Sequence, residues 1–225
     1  MPEGHVIVSI SRQKGAGGSE IGRCVATRFG FTFLDGELLS RAAERLNEPL
    51  DLIEDRDEHR LSFFERPSTH YALGVPFARS APPAVSSVGT KGLFEAQKSL
   101  IEEAAAKGPL VVVGRAAHWI LRDQPLMVSV FLHAPIEARV RRTRRILGLA
   151  SDEEASRIVS QCDSRREAFV RWATGRSWGK AADYHLCVDT WQVGFSSTID
   201  MIVTAVEGLK QAHPLDSRDR LCFSA

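Results

Sequence analysis

Cysteine is scarce and scattered, with four residues at Cys24, Cys162, Cys187 and Cys222 and no CxxC pair. That spacing excludes a disulfide framework and a cysteine-histidine zinc site, and makes a reducing cytoplasm the expected compartment. An excess of either charge is absent too: 29 Lys and Arg face 28 Asp and Glu, for a net charge of +1. A general nucleic-acid binder needs a broad basic surface, so nucleic acid is not an expected partner. No apolar run approaches the roughly 18 residues of a bilayer span, and the start MPEGHVIVSIS has no basic region ahead of a long apolar stretch. Neither a membrane nor secretion is indicated. Internal repeats and low-complexity tracts are missing, and the oligomeric state leaves no mark in the sequence.

What is present is a chain of 225 residues, enough for one domain with a sizeable core. His5 to Ser11 reads as a β-branched strand that stops at a glycine-rich stretch, after which Ile21, Cys24, Val25 and Phe29 recur at helical spacing. Phe31 to Leu34 repeats the motif, ending at Asp35 and followed by a helical pattern from Leu38 to Leu46. Arg66 to Gly92 mixes Pro, Ser, Gly and Thr and reads as a long irregular segment. A helix carrying Leu93, Gln97, Leu100, Ile101 and Ala104 should end at Gly108-Pro109, ahead of the wholly apolar strand Leu110 to Val113. Strands over Met127 to Leu132 and His185 to Val188 follow, with a charged helix from about Asp152 to Arg171 between them and an amphipathic one through Ile199 to Leu209 at the end. Strands alternating with helices predict an α/β three-layer sandwich, a central parallel sheet with helices on both faces, whose ligands lie beyond the carboxyl ends of the strands. Residues 1–212 read as the folded unit and 213–225 as a polar tail. Cys24 and Cys187 read as small core residues, and His118 as a structural or rim histidine.

Arg12 to Gly22, RQKGAGGSEIG, joins the first strand to the first helix. Gly15, Gly17 and Gly18 let backbone amides converge on an anion, and the helix N-terminus adds partial positive charge, so Gly15, Ala16, Gly17, Gly18, Ser19 and Glu20 are the candidate phosphate cradle. The plain alternative is a turn in which glycines permit close packing. Against the pattern GxxxxGK[ST], Gly18 stands where the lysine belongs and Arg12 where the first glycine belongs. Another cation must then balance the phosphates, and Arg12 and Lys14 are nearest. Gly114-Arg115 follows the buried strand, which brings Arg115 to the same edge of the sheet.

The segments ISRQKGAGGSEIG, FLDGELLSRAA, VVVGRAAHWIL, VFLHAPIEARV and CDSRREAFVRWATGRSWGKAADYHLCVDT, in that order, resemble the cytidylate kinase-like branch of the nucleoside monophosphate kinases. The resemblance implies a P-loop kinase-like fold with an acceptor-binding region, about 36–92, and a helical lid, about 146–182. It implies MgATP as phosphoryl donor, with Ser19 beside the metal, and a nucleoside monophosphate as acceptor, CMP or dCMP first. Arg41 matches an arginine that holds the acceptor phosphate, and Arg115 the arginine of a GRD motif. Asp163 and Arg166 match a DxxR pair that binds acceptor ribose and phosphate. Gly36 departs from the family pattern where a serine contacts the acceptor, and the losses of acid at Val113 and Ala116 weaken the case for cytosine.

Arg139, Arg141, Arg142, Arg144 and Arg145 crowd one helical stretch, and Arg165, Arg166, Arg171, Arg176 and Lys180 follow the acidic Asp152 to Glu154. As a lid these would close over phosphates and exclude water; singly, each is an ordinary solvated arginine. Arg142 and Arg166 are the candidates to touch phosphate, beside Arg12 and Lys14. Two other readings stay open: a nucleotide-binding regulator without catalysis, and a small-molecule kinase with a hydroxyl acceptor, for which Asp35 would be the carboxylate. Trp172 and Trp178 are expected to pack the lid hinge or to stack on a base.

Overall fold

A computed structural model describes residues 5–35 and 87–212. Arg41 and the rest of 36–86 lie outside the described residues, as does the tail 213–225. Five strands, β1 (Ile7–Arg12), β2 (Thr32–Leu34), β3 (Leu110–Val113), β4 (Met127–His133) and β5 (Leu186–Asp189), form one sheet in the order β2-β3-β1-β4-β5. Every pairing is parallel; Ile7 sits opposite Leu110 on one side and Met127 on the other. The chain leaves β1 toward one flank, returns, and continues on the other, so β1 marks the point where the strand order reverses. Open α/β sheets bind ligands beyond the strand carboxyl ends at such a point.

β3 is apolar along its length, and β1 is buried from Ile7 to Ile10, because both faces are covered. Val8, Ile10, Val111 and Val113 face one side, where they meet Ile21 and Val25 of α1 (Gly18–Phe29) and Ile202 and Val206 of α7 (Phe195–Ala212). Ile7, Leu110 and Val112 face the other, against Leu100, Ile101 and Ala105 of α2 (Ser87–Lys107) and Ala117 of α3 (Ala117–Ile120). This is the three-layer arrangement expected from the alternation of elements. A third apolar cluster lies apart from the sheet, between α4 (Ile136–Leu147) and α5 (Asp152–Thr174), through Val140, Leu149, Ile158, Val159 and Cys162. The short α6 (Thr190–Val193) joins β5 to α7.

Two expectations need correction. Cys24 and Cys187 are exposed: α1 buries the stripe Ile21, Gly22, Val25 and Ala26, which leaves Cys24 on the outer face, and Cys187 lies on the edge strand, where only Val188 is fully covered. The helix that should begin near Leu93 begins at Ser87 and runs through Gly89 and Gly92. Glycine costs a helix about 1 kcal/mol against alanine, which lowers propensity without forcing a stop.

Candidate functional site

The carboxyl ends of the five strands gather Asp35, Arg12, Gly114-Arg115, His133 and Asp189 along one edge. At its centre the loop Gln13 to Gly17 turns β1 into α1. Gly17 caps α1 at φ 82° and has no side chain of its own to cap the first-turn amides, the groups to which an anion would bind. Gly15 and Gly17 also pack closely. A Cβ on Gly15 would come within 2.7 Å of the Arg139 carbonyl oxygen, and one on Gly17 would strike the Phe195 ring. Close packing and the phosphate cradle are thus compatible properties of the same glycines.

The Arg12 stem lies over Gly18, which stands at the lysine position of the P-loop pattern. A Cβ on Gly18 would lie 2.5 Å from Arg12 Cγ, so the arginine stem fills the space that a side chain at the lysine position would enter. Its guanidinium lies across Gly114, where an added Cβ would collide with it, and Nη2 donates to Asp35 Oδ1 at 3.4 Å. Both members of this pair are only 11% exposed. The carboxylate expected for a hydroxyl acceptor is therefore engaged by the cation expected at the donor phosphates.

The loop backbone is held from outside. The Lys14 amide donates to Asp163 Oδ1 at 2.7 Å, and Arg139, only 9% exposed, bridges Asp163 Oδ2 at 2.5 Å, the Lys14 carbonyl at 3.3 Å and, through Nε, the Ala134 carbonyl at 2.9 Å. Arg166 donates to the Arg12 carbonyl at 2.6 Å. On the other flank Thr190 Oγ1 lies 3.0 Å from the Ala16 carbonyl, and the Gln13 amide donates to Leu132 at 2.9 Å. Asp163 and Arg166, matched by resemblance to acceptor contacts, are in this structure fastened to the loop.

Arg142 pairs with Glu20 at 2.5 Å and lies 4.5 Å from the Phe195 ring centroid, which brings it beside the first turn of α1. Ser19 opens that helix with its hydroxyl at the same turn. Among the described residues no group of three His, Cys, Asp or Glu is placed to hold a metal; Mg²⁺ bound through nucleotide phosphates and water needs little more than one protein oxygen, and Ser19 fits that demand. Arg115 leaves β3 in a turn where Gly114, Arg115 and Ala116 take φ of 80°, 56° and 55° in succession. Two non-glycine residues in the left-handed region cost about 1 to 2 kcal/mol each. Such strain is held where geometry matters.

Sequence reasoning missed four residues. Arg139 was one of five crowded arginines, yet it alone among them falls on the buried stripe of α4, with Ala138, Val140 and Thr143; that spacing was the available signal. Thr190 and the exposed Trp191, whose ring lies 5.2 Å from the Arg141 guanidinium, directly follow the last strand. Gln97 is 1% exposed on α2, and neither of its amide atoms has a hydrogen-bond partner among the described residues. His118 is buried as well, stacked on Tyr184 at 4.8 Å, and Trp178 packs edge-on against Phe131 at 5.5 Å.

No curated protein matches this chain. Among solved structures it is similar to an uncharacterized protein from Eubacterium ventriosum ATCC 27560, at 20% identity and a TM-score of 0.65, over 90% of this chain and 98% of that one. It is similar also to a shikimate kinase from Bacteroides thetaiotaomicron, at 16% identity and TM-score 0.51 over 90% and 98%, and to a gluconokinase from Sinorhizobium meliloti 1021, at 15% and 0.51 over 94% and 98%. These likenesses show the P-loop kinase fold. Residues 7–192 match the cytidylate kinase-like family, and the chain belongs to that family.

Proposed function

We propose that the protein transfers the γ-phosphoryl group of ATP to the phosphate of a nucleoside monophosphate, with CMP or dCMP as first acceptor, in the cytoplasm. The observation that carries this reading is the Arg12 stem in the place of the P-loop lysine, beside a glycine-capped helix at the strand-order reversal. Magnesium-bound ATP supplies the phosphoryl group. Amides from Gly15 to Glu20 receive the donor phosphates, the Ser19 hydroxyl faces the metal, and Arg12, Lys14, Arg142 and Arg166 spread the charge of the in-line transfer. Trp191 with Arg141 offers the donor base a stacking surface. Arg115, Asp35, Asp163 and, outside the described residues, Arg41 serve the acceptor. The paired helices α4 and α5, with their own apolar cluster, act as the lid, and about 36–92 as the acceptor-binding region.

Incubation of the purified protein with MgATP and a panel of nucleoside monophosphates tests the reading. CMP or dCMP should accelerate ADP formation, and Arg12→Ala should lower turnover by at least about tenfold, or roughly 1.4 kcal/mol of transition-state stabilisation. If ATP binds and no monophosphate accelerates ADP formation, the assignment fails. One observation favours a second reading: Asp35, a carboxylate only 11% exposed, stands at the end of β2 on this edge, where a hydroxyl acceptor would need one, although Arg12 engages it in the free protein. Turnover with a polyol or hydroxy acid in the same panel would select it.

A further inference from the structure

Gln97 is the least explained buried group in the described molecule. A primary amide carries two donors and an acceptor, and leaving such a group buried and unpaired is costly to the folded chain. Its place along α2 follows from element lengths. Ten residues separate it from Lys107, about 15 Å of helix, and the four residues of β3 extend about 13 Å. Because α2 returns antiparallel to the strands and enters β3 through Gly108-Pro109, Gln97 lies level with the carboxyl edge of β3, where Gly114 and Arg115 begin their strained turn.

One turn further along the same helix, beyond the strand ends, is Phe94. Its ring meets Phe169 at 5.9 Å and Trp172 at 5.6 Å, both on α5, and those two rings lie 6.1 Å apart. Trp172 keeps 47% of its surface exposed. Three mutually edge-on or tilted rings therefore join α2 to the helix assigned as lid, one helical turn from the unsatisfied amide, and the exposed part of Trp172 leaves that cluster a free face.

We propose that Gln97 and the Phe94–Phe169–Trp172 wall are the acceptor's base-recognition subsite. This rests on the nucleoside-monophosphate reading and makes the aromatic base the part of the acceptor that these residues read. A flat heteroaromatic ring stacks on the wall, and its edge, with a hydrogen-bond donor next to an acceptor, pairs bidentately with the amide. Because an amide presents one donor and one acceptor side by side, it accepts the N4 amino donor and N3 acceptor of cytosine, and a rotated amide accepts the corresponding edge of uracil. Sugar acids and polyols have no such face or edge.

Gln97→Met keeps the shape of the side chain and removes its polar atoms. The expected result is a rise of about tenfold or more in KM for the preferred monophosphate, with KM for ATP and saturating kcat within twofold of wild type and ribose 5-phosphate inhibiting both proteins equally. Because the amide is an orphan in the free protein, Gln97→Met should also melt at or above the wild-type temperature. In a second, catalysis-independent measurement, cytidine should quench tryptophan fluorescence of the wild type and not of Trp172→Phe. Turnover of a monophosphate with an unchanged KM in Gln97→Met overturns the subsite and leaves the kinase reading standing. Trp172-dependent quenching by cytidine without turnover of any monophosphate keeps the subsite and overturns the kinase reading. A melting temperature well below wild type for Gln97→Met would show an amide already bonded in the free protein, which also overturns the proposal.

Discussion

The two flanks of β1 meet the same sheet edge in opposite states. On the side of β4 and β5 the turning backbone of the glycine loop is bonded: Gln13 to Leu132, Lys14 to Asp163 and Arg139, Ala16 to Thr190. On the side of β3 and α2, both amide atoms of Gln97 and the Trp119 indole nitrogen have no partner among the described residues, and Arg115 and Ala116 hold left-handed backbone. Satisfied networks rigidify, whereas orphaned groups and strained residues each cost about 1 to 3 kcal/mol that a bound molecule can recover. The loop side is shaped before any ligand arrives. The α2 side carries costs that a ligand could relieve.

The sharpest way to break this contrast is to cut the ion pair behind the loop. Asp163→Ala removes the acceptor of the Lys14 amide and leaves the Arg139 guanidinium, which is 9% exposed, with carbonyl partners and no counter-charge. Breaking a buried pair from one end costs about 3 kcal/mol, readable as a shifted denaturant midpoint. In the cycle with Arg139→Ala the double variant should lose little more than Asp163→Ala alone, because both act through one network. Losses that simply add would mean that the loop does not depend on the pair, and the rigid half of the comparison would fall.

That pair also marks how far the sequence could be read. Strand-loop-helix around Gly15 to Ser19, the parallel sheet and the order of elements were all legible, because each rests on local periodicity and on glycines at a fixed place. The partners were not. Asp163 is 149 residues from Lys14 in the chain, and nothing local distinguishes a carboxylate that accepts a loop amide from one that awaits a ribose. Arg12 was singled out for its charge, yet its stem over Gly18 and its pairing with Asp35 appear only once β1, β2 and β3 are side by side. Gln97 was read as one more residue on a buried helical face, since periodicity reports burial without saying whether a polar atom there has found a partner. Cys24 failed for a related reason: a neighbour of Val25 shares its apolar context and not its direction.

A second prediction probes, through pH, the buried imidazole that α3 sets against Tyr184. His118 is 6% exposed, and its pKa is held below the ordinary 6.5, first by burial and then by His185, with Asp183 opposing. Well above pH 6.5 the imidazole is neutral in folded and unfolded chains alike and contributes no pH dependence. As the pH falls through 6.5 the unfolded chain takes up the proton first, so stability declines until the folded pKa is reached, with a limiting slope of about 1.4 kcal/mol per pH unit for one proton. His118→Phe preserves a ring against Tyr184 and should flatten the fall in melting temperature between pH 7 and pH 5. An unchanged slope would show that His118 is as easily protonated folded as unfolded.

The smallest effect sharpens the contrast most directly. Ala116 holds φ at 55°, a conformation that costs an L-residue about 1 to 2 kcal/mol and glycine almost nothing. Glycine gives back about 0.5 to 1 kcal/mol through the greater freedom of its unfolded chain, so Ala116→Gly should stabilise the protein by about 0.5 kcal/mol, or roughly 1 to 2 °C in melting temperature. Elsewhere a gain of that size is unremarked, but here it comes from the turn that aims Arg115. If the strain serves to fix that side chain, the more stable variant should bind its acceptor more weakly while ATP affinity stays unchanged. A variant less stable than wild type would mean that the surrounding contacts favour the alanine, and the turn would no longer count among the costs that the acceptor relieves.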